Sequence, residues 1–529
     1  MVLLRGAVRA LGGEVALVVE LTRALPLSPT RLGIDPYARK RSKRLRFSDH
    51  RNGAEDLWSC LRMANESARE WAVEEFGRAE LEDGRWRSRL ISMGGQAASR
   101  PGGRVSAVFP NAAERQGAYG LLENRDVTSA HIANAMFAAD ARRCRDLPFV
   151  FAIIDGSSVT LTDSAGTKDF GWIGSRNQRV RGLKVISSLL VSPDGVPCGL
   201  GAQVWWVRTG DAVKGRHQGR TTGEKETRHW LTAIGETGTL MARHAQGTRC
   251  WFQIDREGDA WPIITEADRC DRWFTIRGNH NRRVKMPDGS TEYLRDVIGR
   301  QPVAFNYGLA VSAGQNRSAR QARMAMRTCR MTLDFRDKRT GRRTAKIVNV
   351  VLAREEATTP AGEKPIEWLL LTNHPSSETE EMAQVVLGYA QRWRIEDFHR
   401  TWKSGACDVE NMQLRSRSAV EKWATLLAAV AVRIERLKLL ARTEPARLAT
   451  DEFTEVELRA IALVRFGTSA GQHLIAAPTP TIAQAVQWLA EIGGYTGKSS
   501  GGPPGSVTIG RGLKDVIVVA RALAAQDAL

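Results

Sequence analysis

One stretch, Gly388–Gly405, constrains the fold and chemistry of this chain most strongly. Drawn as a helix with 3.6 residues per turn, it has an apolar face that fits a protein core and an opposite polar face. The polar face consists of Tyr389, Arg392, Glu396, Arg400 and Lys403. A single carboxylate among cations suits a metal ion and phosphate groups, so we predict that Glu396 is a metal ligand. An ion pair of Glu396 with Arg392 and Arg400 is the structural alternative.

Two short apolar runs far upstream each end in an aspartate. Phe149–Ile154 precedes Asp155, and Cys250–Ile254 precedes Asp255, after which we expect a helix from Glu257. The segments between them read as two hairpin strands and a helix, at Leu183–Val191, Pro197–Val207 and Trp230–His244. This pattern predicts a mixed α/β sheet with carboxylates at strand ends, where sites form in open sheets.

Asp155, Asp255 and Glu396 form a candidate metal-binding set. Mg²⁺ prefers carboxylate oxygens, and two ions about 4 Å apart can activate a nucleophile and stabilise the leaving oxygen of a phosphodiester. Residues this far apart in sequence converge only if the sheet brings the ends of two strands together. An aspartate that merely caps a turn is the competing interpretation.

Net charge points to a polyanionic partner. The chain carries 77 basic and 58 acidic residues, a formal net charge of +19, with a pI of about 10.0. Nucleic acid or an anionic membrane would suit this imbalance. No apolar run approaches the roughly 20 residues that span a bilayer, so we expect no membrane association. Seven scattered cysteines include no C-x-x-C pair, which argues against a zinc finger or disulfide framework.

The first 62 residues differ from the rest of the chain. They contain three prolines and a basic block at Arg39–Arg46. Two interpretations remain open: a DNA-binding arm, or a translation start that lies at Met63 instead of Met1. The well-patterned sequence begins just after Met63.

Several motifs resemble those of a known family. Y-x-x-R-x-x-x-E-x-x-x-x-x-x-K, formed by Tyr389, Arg392, Glu396 and Lys403, resembles the signature of the insertion-sequence-four family of DDE transposases. F-A-I-I-D-G-S-S around Asp155 and F-Q-I-D-R-E-G-D around Asp255 resemble that family's first and second catalytic aspartates, with Gly258 where the family often has alanine. Trp368–Thr372 and Glu114–Tyr119 are similar to segments of the cut-and-paste transposase of kanamycin-resistance transposons. The resemblance covers about Met63 to Arg442.

The resemblance implies an α/β fold with a ribonuclease-H-like catalytic core and a β-rich insertion, flanked by helical N- and C-terminal domains. The expected division is 1–62 basic extension, 63–145 helical DNA-end-binding domain, 146–272 first part of the core, 273–372 β-rich insertion, 373–442 second part of the core with the glutamate helix, and 443–529 helical C-terminal dimerisation domain.

For the chemistry, the resemblance implies two Mg²⁺ (or Mn²⁺) ions held by Asp155, Asp255 and Glu396. Water nicks the transposon end, the freed 3′-OH forms a hairpin on the opposite strand, the hairpin is reopened, and the 3′-OH attacks target DNA. Tyr389 would stabilise a flipped base and Trp368 would stack on it, although both aromatics could simply pack in the core. The implied DNA-binding residues are Arg85, Arg89, Arg277, Trp368, Tyr389, Arg392, Arg400 and Lys403.

The implied partners are double-stranded DNA, as inverted-repeat ends and as target, and a second copy of the chain. Dimerisation is expected through Val507–Leu529, and the expected location is the bacterial cytoplasm, on nucleoid DNA when bound. Two alternatives remain: an inactive or recruited transposase-derived DNA-binding protein, and a basic metal-dependent nuclease without strand transfer.

Overall fold

The computed structural model describes residues 3–11, 14–22, 66–163, 165–174, 180–208, 221–269, 271–311, 313, 318–336, 341, 343–475, 479–497 and 502–526. These residues form a mixed α/β structure around one large sheet. The basic block at 39–46 lies outside the described residues.

The strands are β1 (Leu3–Leu11), β2 (Glu14–Thr22), β3 (Phe149–Thr160), β4 (Gly171–Trp172), β5 (Arg181–Val191), β6 (Pro197–Trp206), β7 (Arg249–Ile254), β8 (Trp273–Arg277), β9 (Arg283–Lys285), β10 (Thr291–Tyr293), β11 (Phe305–Val311), β12 (Arg320–Arg336), β13 (Arg343–Glu355) and β14 (Glu367–Thr372). The helices are α1 (Glu66–Phe76), α2 (Gly84–Ser99), α3 (Val105–Val108), α4 (Ala112–Glu123), α5 (Ser129–Arg143), α6 (Thr227–His244), α7 (Trp261–Ala267), α8 (Leu294–Gly299), α9 (Thr379–Ala390), α10 (Trp393–Lys403), α11 (Arg417–Thr443), α12 (Glu455–Ile475), α13 (Ile482–Ile492) and α14 (Ser506–Gln526).

Five strands form the part of the sheet that carries the predicted aspartates, in the order β6-β5-β3-β7-β8. β6, β5 and β3 pair antiparallel, whereas β3, β7 and β8 are parallel neighbours. Alternate residues of β3 face opposite sides of the sheet. Ile154 belongs to the core on the α6 side, and Ile153 belongs to the core that includes α10.

The β-rich segment extends this sheet instead of forming a separate one. β14 pairs antiparallel with β8, and β13, β12 and β11 follow in order. The β1–β2 hairpin pairs with β11 through Arg5–Ala7, so part of the predicted N-terminal extension is strand. β12, Arg320–Arg336, is the longest strand of this segment and pairs with β11 on one side and β13 on the other.

The long helix α11 joins the N-terminal helices to the core. Its Trp423 donates from Nε1 to the carbonyl of Gly103 at 2.7 Å. Its Lys422 donates from Nζ to the carbonyl of Leu122 at 2.9 Å. Because both side chains are buried, these bonds replace contacts with water and hold the helices on α11.

The helix expected to start at Glu257 is absent at that position. Glu257 lies in a 3-10 turn, Arg256–Gly258, and the next helix, α7, begins at Trp261. Asp255 caps the turn, and Pro262 lies in the first turn of α7, where its missing N–H costs nothing. The helix therefore begins four residues later than predicted, after the turn that follows β7.

Candidate active site

Asp255 directly follows β7, as expected, whereas Asp155 lies within β3, which continues to Thr160 as a partner of β5 instead of ending at the aspartate. Ile154 of β3 is in register with Ile254 of β7, so the two aspartates leave the pair together. Asp155 is buried, with 9% of its surface exposed, and its Oδ1 accepts from the N–H of Gly156 at 2.8 Å. Oδ1 of Asp255 accepts from the N–H of Glu257 at 2.8 Å, which fixes its side chain at the end of β7.

The glutamate stretch is two helices, which corrects the single helix expected over Gly388–Gly405. α9 ends at Ala390 and α10 begins at Trp393. Between them the N–H of Arg392 donates to Tyr389 at 3.1 Å, and the N–H of Ile395 donates to Arg392 at 3.3 Å. Hydrogen bonds between residues three apart, instead of four, wind the backbone more tightly at this junction. Tyr389 therefore ends one helix, Glu396 lies in the first turn of the next, and Arg392 is at the junction.

Arg392 connects the first aspartate with the glutamate. Its Nη1 lies 3.1 Å from Oδ2 of Asp155 and 3.1 Å from Oε1 of Glu396. Only 12% of the Arg392 side chain is exposed, against 31% for Glu396. The structure thus brings Asp155 and Glu396 together across the gap between the sheet and α10.

Burial and neighbouring charges shift the pKa values of Asp155 and Glu396 in opposite directions. Burial raises the pKa of Asp155 well above its usual range, although Arg392 acts in the opposite direction. The negative charges of Glu396 and Asp255 raise it further. Burial also acts to raise the pKa of Glu396, but Arg392 and hydrogen bonds outweigh it and the pKa falls below its usual value. Crowding of this kind is typical of sites that hold a cation.

Asp155, Glu396 and His399 form a cluster suited to a divalent ion. Each offers one ligand atom, and these atoms lie within 4.8 Å of one another. Carboxylate oxygens are the donors that Mg²⁺ and Mn²⁺ prefer, so the residues fit such an ion. Asp255 is outside this set but ends the adjacent strand, and its charge acts on Asp155 and Arg392.

His399 is a member that the sequence analysis missed. The imidazole is buried, and its Nε2 lies 3.3 Å from Oγ of Ser187 on β5. Burial lowers the pKa of His399 to about 4, so the ring is neutral at physiological pH. The sequence contained one indication of this role. Residues three apart on a helix share a face, and His399 is three residues after Glu396.

Trp368 and Tyr389 lie beside the site and pack on each other. Their ring centroids are 5.4 Å apart with an interplanar angle of 68°. Trp368 is 9% exposed and Tyr389 is 4% exposed, so neither ring offers an open face to a base in this conformation. Arg277 ends β8 next to the Tyr389 hydroxyl and donates from Nη2 to the carbonyl of Glu367 at 2.9 Å.

The remaining cations of the motif lie further along α10. Arg400 has 45% of its side chain exposed, and its Nη1 is 3.3 Å from Oδ1 of Asp397. Nζ of Lys403 is 3.7 Å from Oε1 of Glu410. The same Glu410 oxygen accepts from the N–H of Thr160 at the end of β3, so Lys403 lies near that strand end.

Arg85 and Arg89 lie on α2, in the N-terminal helical region. The Arg85 side chain is 91% exposed, and its Nε donates to Oδ2 of Asp83 at 2.9 Å. Arg89 is partly buried against α4, where a Cβ added to Gly117 would come within 2.5 Å of its guanidinium carbon. The structure places these arginines on a different element from the three carboxylates.

Comparison with protein families gives two matches. Residues 68–127 match the family described as "Transposase DNA-binding", which includes Arg85 and Arg89. Residues 268–433 match the "Transposase DDE domain", which includes Arg277, Trp368 and the α9–α10 segment. Asp155 and Asp255 precede the second match. Within the described residues, no helix is long and apolar enough to cross a membrane.

The second match implies a ribonuclease-H-like core, in keeping with the mixed sheet and the helices packed on it. The expected polyanionic partner is DNA, because the first match is to a DNA-binding region. A DNA-binding region followed by a DDE domain supports a DNA transposase, and the DDE domain supports DNA cleavage and strand transfer as its type of reaction.

Proposed function

We propose that this protein is a cut-and-paste transposase of the insertion-sequence-four type, with Asp155, Asp255 and Glu396 as its metal ligands. The observation that carries the proposal is the meeting of Asp155 and Glu396 through Arg392, at the end of the parallel pair β3–β7. Asp255 ends the second strand of that pair. These carboxylates would hold two Mg²⁺ or Mn²⁺ ions, which would activate the attacking oxygen and stabilise the leaving oxygen.

Cationic side chains of the protein have the remaining proposed roles, which are contacts with DNA phosphates. Arg392 neutralises the crowded carboxylates and, when a metal cation takes over that task, its guanidinium can turn to a DNA phosphate. Lys403 and Arg400 continue the cationic side of α10, where the next phosphates would lie. Arg85, exposed at the start of α2, would hold the DNA end from the N-terminal region together with Arg89.

Hairpin formation requires a sharply bent DNA end. Flipping one base out of the stack relieves that strain, and an aromatic face lowers its cost. Because Trp368 and Tyr389 are packed on each other, the proposed stacking role requires their edge-to-face contact to open when DNA binds. Arg277, beside the Tyr389 hydroxyl, would hold the adjacent phosphate.

The proposed assembly is a dimer that holds two inverted-repeat ends. Exposed apolar side chains on α14, Val507 at 42% and Val518 at 58% exposure, favour a contact through the expected C-terminal segment. We propose that the dimer acts on DNA in the bacterial cytoplasm.

A cleavage assay tests the proposal. The substrate is a plasmid that carries the inverted repeats flanking the gene, incubated with protein and Mg²⁺. Asp155→Ala, Asp255→Ala and Glu396→Ala should each abolish cleavage while leaving DNA binding intact. Asp397→Asn is the matched control, because this neighbouring carboxylate pairs with Arg400 and Lys438 instead. Full-rate cutting by Glu396→Ala would show that the site assignment is wrong.

A second substrate separates transposition from plain nuclease activity. A pre-cut end with a free 3′-OH should be joined to target DNA by the wild-type protein. Cleavage without joining would indicate a metal-dependent nuclease. Binding without either reaction would indicate a recruited DNA-binding protein.

A further inference from the structure

We propose that His399 is a positioning residue, which holds Glu396 at the correct distance from Asp155 through its contact with Ser187. The inference rests on the proposed function, since it concerns the carboxylates assigned there to the metal. It concerns how the site keeps its shape, and not which groups bind the ion.

The contact between His399 and Ser187 matters because of where Ser187 lies in the sheet. Ser187 of β5 is the direct partner of Asp155 on β3, so the two side chains stand next to each other on one face of the sheet. His399 lies one helical turn after Glu396, on the same side of α10. The 3.3 Å approach of Nε2 of His399 to Oγ of Ser187 therefore links the turn that carries Glu396 to the strand beside Asp155.

Burial makes this link rigid. His399 is 5% exposed and Ser187 is fully buried, so water does not compete for the hydrogen bond. The imidazole also lies beside two aromatic neighbours on α10, with ring centroids 5.3 Å from Phe398 and 6.4 Å from Trp402. The ring cannot change rotamer without disturbing the packing of α10 on the sheet.

The other link between the carboxylates depends on charge. Arg392 contacts both Asp155 and Glu396, but its guanidinium is a cation. A divalent cation held by the same carboxylates repels it and competes for the same oxygens. The hydrogen bond between His399 and Ser187 uses none of the carboxylate oxygens. It can therefore keep the spacing of the two carboxylates when a cation is bound to them.

Binding of Mn²⁺ to the full-length protein, followed by electron paramagnetic resonance, tests the inference. His399→Leu removes the hydrogen bond and should weaken Mn²⁺ binding by about tenfold, as loss of groups that orient metal ligands does. His399→Gln can still reach Ser187 and should stay within about threefold of wild type. Ser187→Ala should weaken binding like His399→Leu, and the double variant should be no worse than either single one.

A matched control addresses the cost of altering a buried histidine. His374, which is 4% exposed and stacks on Trp251 near the start of β7, can be changed to leucine in the same way. His374→Leu should leave Mn²⁺ affinity unchanged even if it lowers the melting temperature. An equal loss of affinity in both leucine variants would overturn the inference.

Two further results would also overturn it. Unchanged Mn²⁺ affinity in His399→Leu would show that the contact positions nothing. Direct nitrogen coupling to bound Mn²⁺ in spin-echo spectra would show that His399 is itself a ligand. Failure of the proposed function is a different result: Mn²⁺ binding would then not depend on Asp155 and Glu396, or a metal-loaded protein would not cleave DNA.

Discussion

At the scale of single residues, Arg392 balances the charge of the site. It is the cation common to Asp155 and Glu396, and it is almost as buried as Asp155. Removing one partner of a buried ion pair is costly, because the remaining charges are neither solvated nor paired. The same argument applies to a metal ion, which can supply the missing positive charge.

Arg392→Gln should therefore lower the free energy of unfolding by about 2 kcal/mol in EDTA. With excess Mg²⁺ the difference from wild type should shrink, because the ion neutralises the carboxylates. Urea unfolding under both conditions measures this. Arg400→Gln is the control: its side chain is 45% exposed and should change stability by less than about 1 kcal/mol under either condition. Equal losses with and without Mg²⁺ would contradict the prediction.

A second buried charge cluster connects α1, α5 and β6. Arg143 donates to Glu75, to Asp140 and to the carbonyl of Cys198. Burial raises the pKa of Glu75 to about 8 and that of Asp140 to about 6, against the opposing effect of Arg143. Two buried acids share this guanidinium, which the exposed Glu74 also approaches at 3.5 Å, so one of the buried acids keeps its proton near neutral pH.

Stability should therefore fall as the pH rises. Because the pKa of Glu75 is raised from 4.5 to about 8, the folded state binds this proton more tightly than the unfolded state does. The stability that the bound proton contributes is complete below about pH 4.5 and is lost as the pH rises through about 8. The slope from this group is at most about 1.4 kcal/mol per pH unit. Glu75→Gln should flatten the curve of unfolding free energy against pH. Glu74→Gln, at an exposed position, should change the slope much less, because its charge contributes only a minor part of the rise in the pKa of Glu75.

How far the site could be predicted differs between residues. Asp155 and Glu396 were predicted, since each ends or interrupts a clear apolar pattern, and the structure brings them together. The role of His399 was not visible, because its partner Ser187 lies more than two hundred residues away and only the sheet register joins them. The spacing of Glu396 and His399 places both on one face of the helix, but it does not show that the imidazole contacts β5.

At the scale of elements, the break between α9 and α10 determines the direction of Arg392. A helical projection cannot distinguish one helix from two nearly continuous ones, because both keep the same period. The dihedral angles of Gln391 and Arg392 are still in the helical region, and only the shortened hydrogen-bond steps mark the break. The sequence therefore predicted which residues share a helical face, but it did not predict that Gly388–Gly405 is divided between two helices.

Gly388 allows α9 to lie close to the sheet just before this break. A Cβ at Gly388 would come within 2.6 Å of the Phe151 ring and 3.0 Å of Nε2 of Gln253. Gly388→Ala should push α9 away from β3 and β7 and cost about 1–3 kcal/mol, measured by urea unfolding. Cleavage of end DNA should fall with it, because Tyr389 and Arg392 would move.

Gly235 in α6 is the matched control. A Cβ there would meet only Oε1 of Glu266, at 3.5 Å, which is an ordinary contact. Gly235→Ala should be neutral or stabilising by up to about 1 kcal/mol, as expected for a helical glycine. If both alanine variants behaved alike, the close approach of α9 would not be the cause.

At the scale of the whole molecule, the sheet continues from the predicted core into the β-rich segment. The sequence predicted the strands at Leu183–Val191 and Pro197–Val207 to within two residues, and it indicated a β-rich insertion over 273–372. It could not show that β8 and β14 pair, because pairing between distant strands depends on tertiary packing and leaves no local pattern.

The net charge of +19 also acts at this scale. DNA binding should weaken linearly with the logarithm of salt concentration, because phosphate contacts release counterions. Arg85→Ala should reduce that slope by about 1 and lower affinity for all DNA sequences alike. Fluorescence anisotropy at several salt concentrations measures it, and unchanged Mn²⁺ affinity is the control. An unchanged slope would remove Arg85 from the interface.

The pairing of β8 with β14 also has a consequence during synthesis. β3, β7 and β8 leave the ribosome in that order and can pair in parallel as soon as β8 is complete. The outer edge of β8 then stays unpaired until Glu367–Thr372 has been made. An open edge in a nascent chain invites pairing with another polypeptide. Yield of the native protein should therefore depend on chaperones and on translation speed through the insertion.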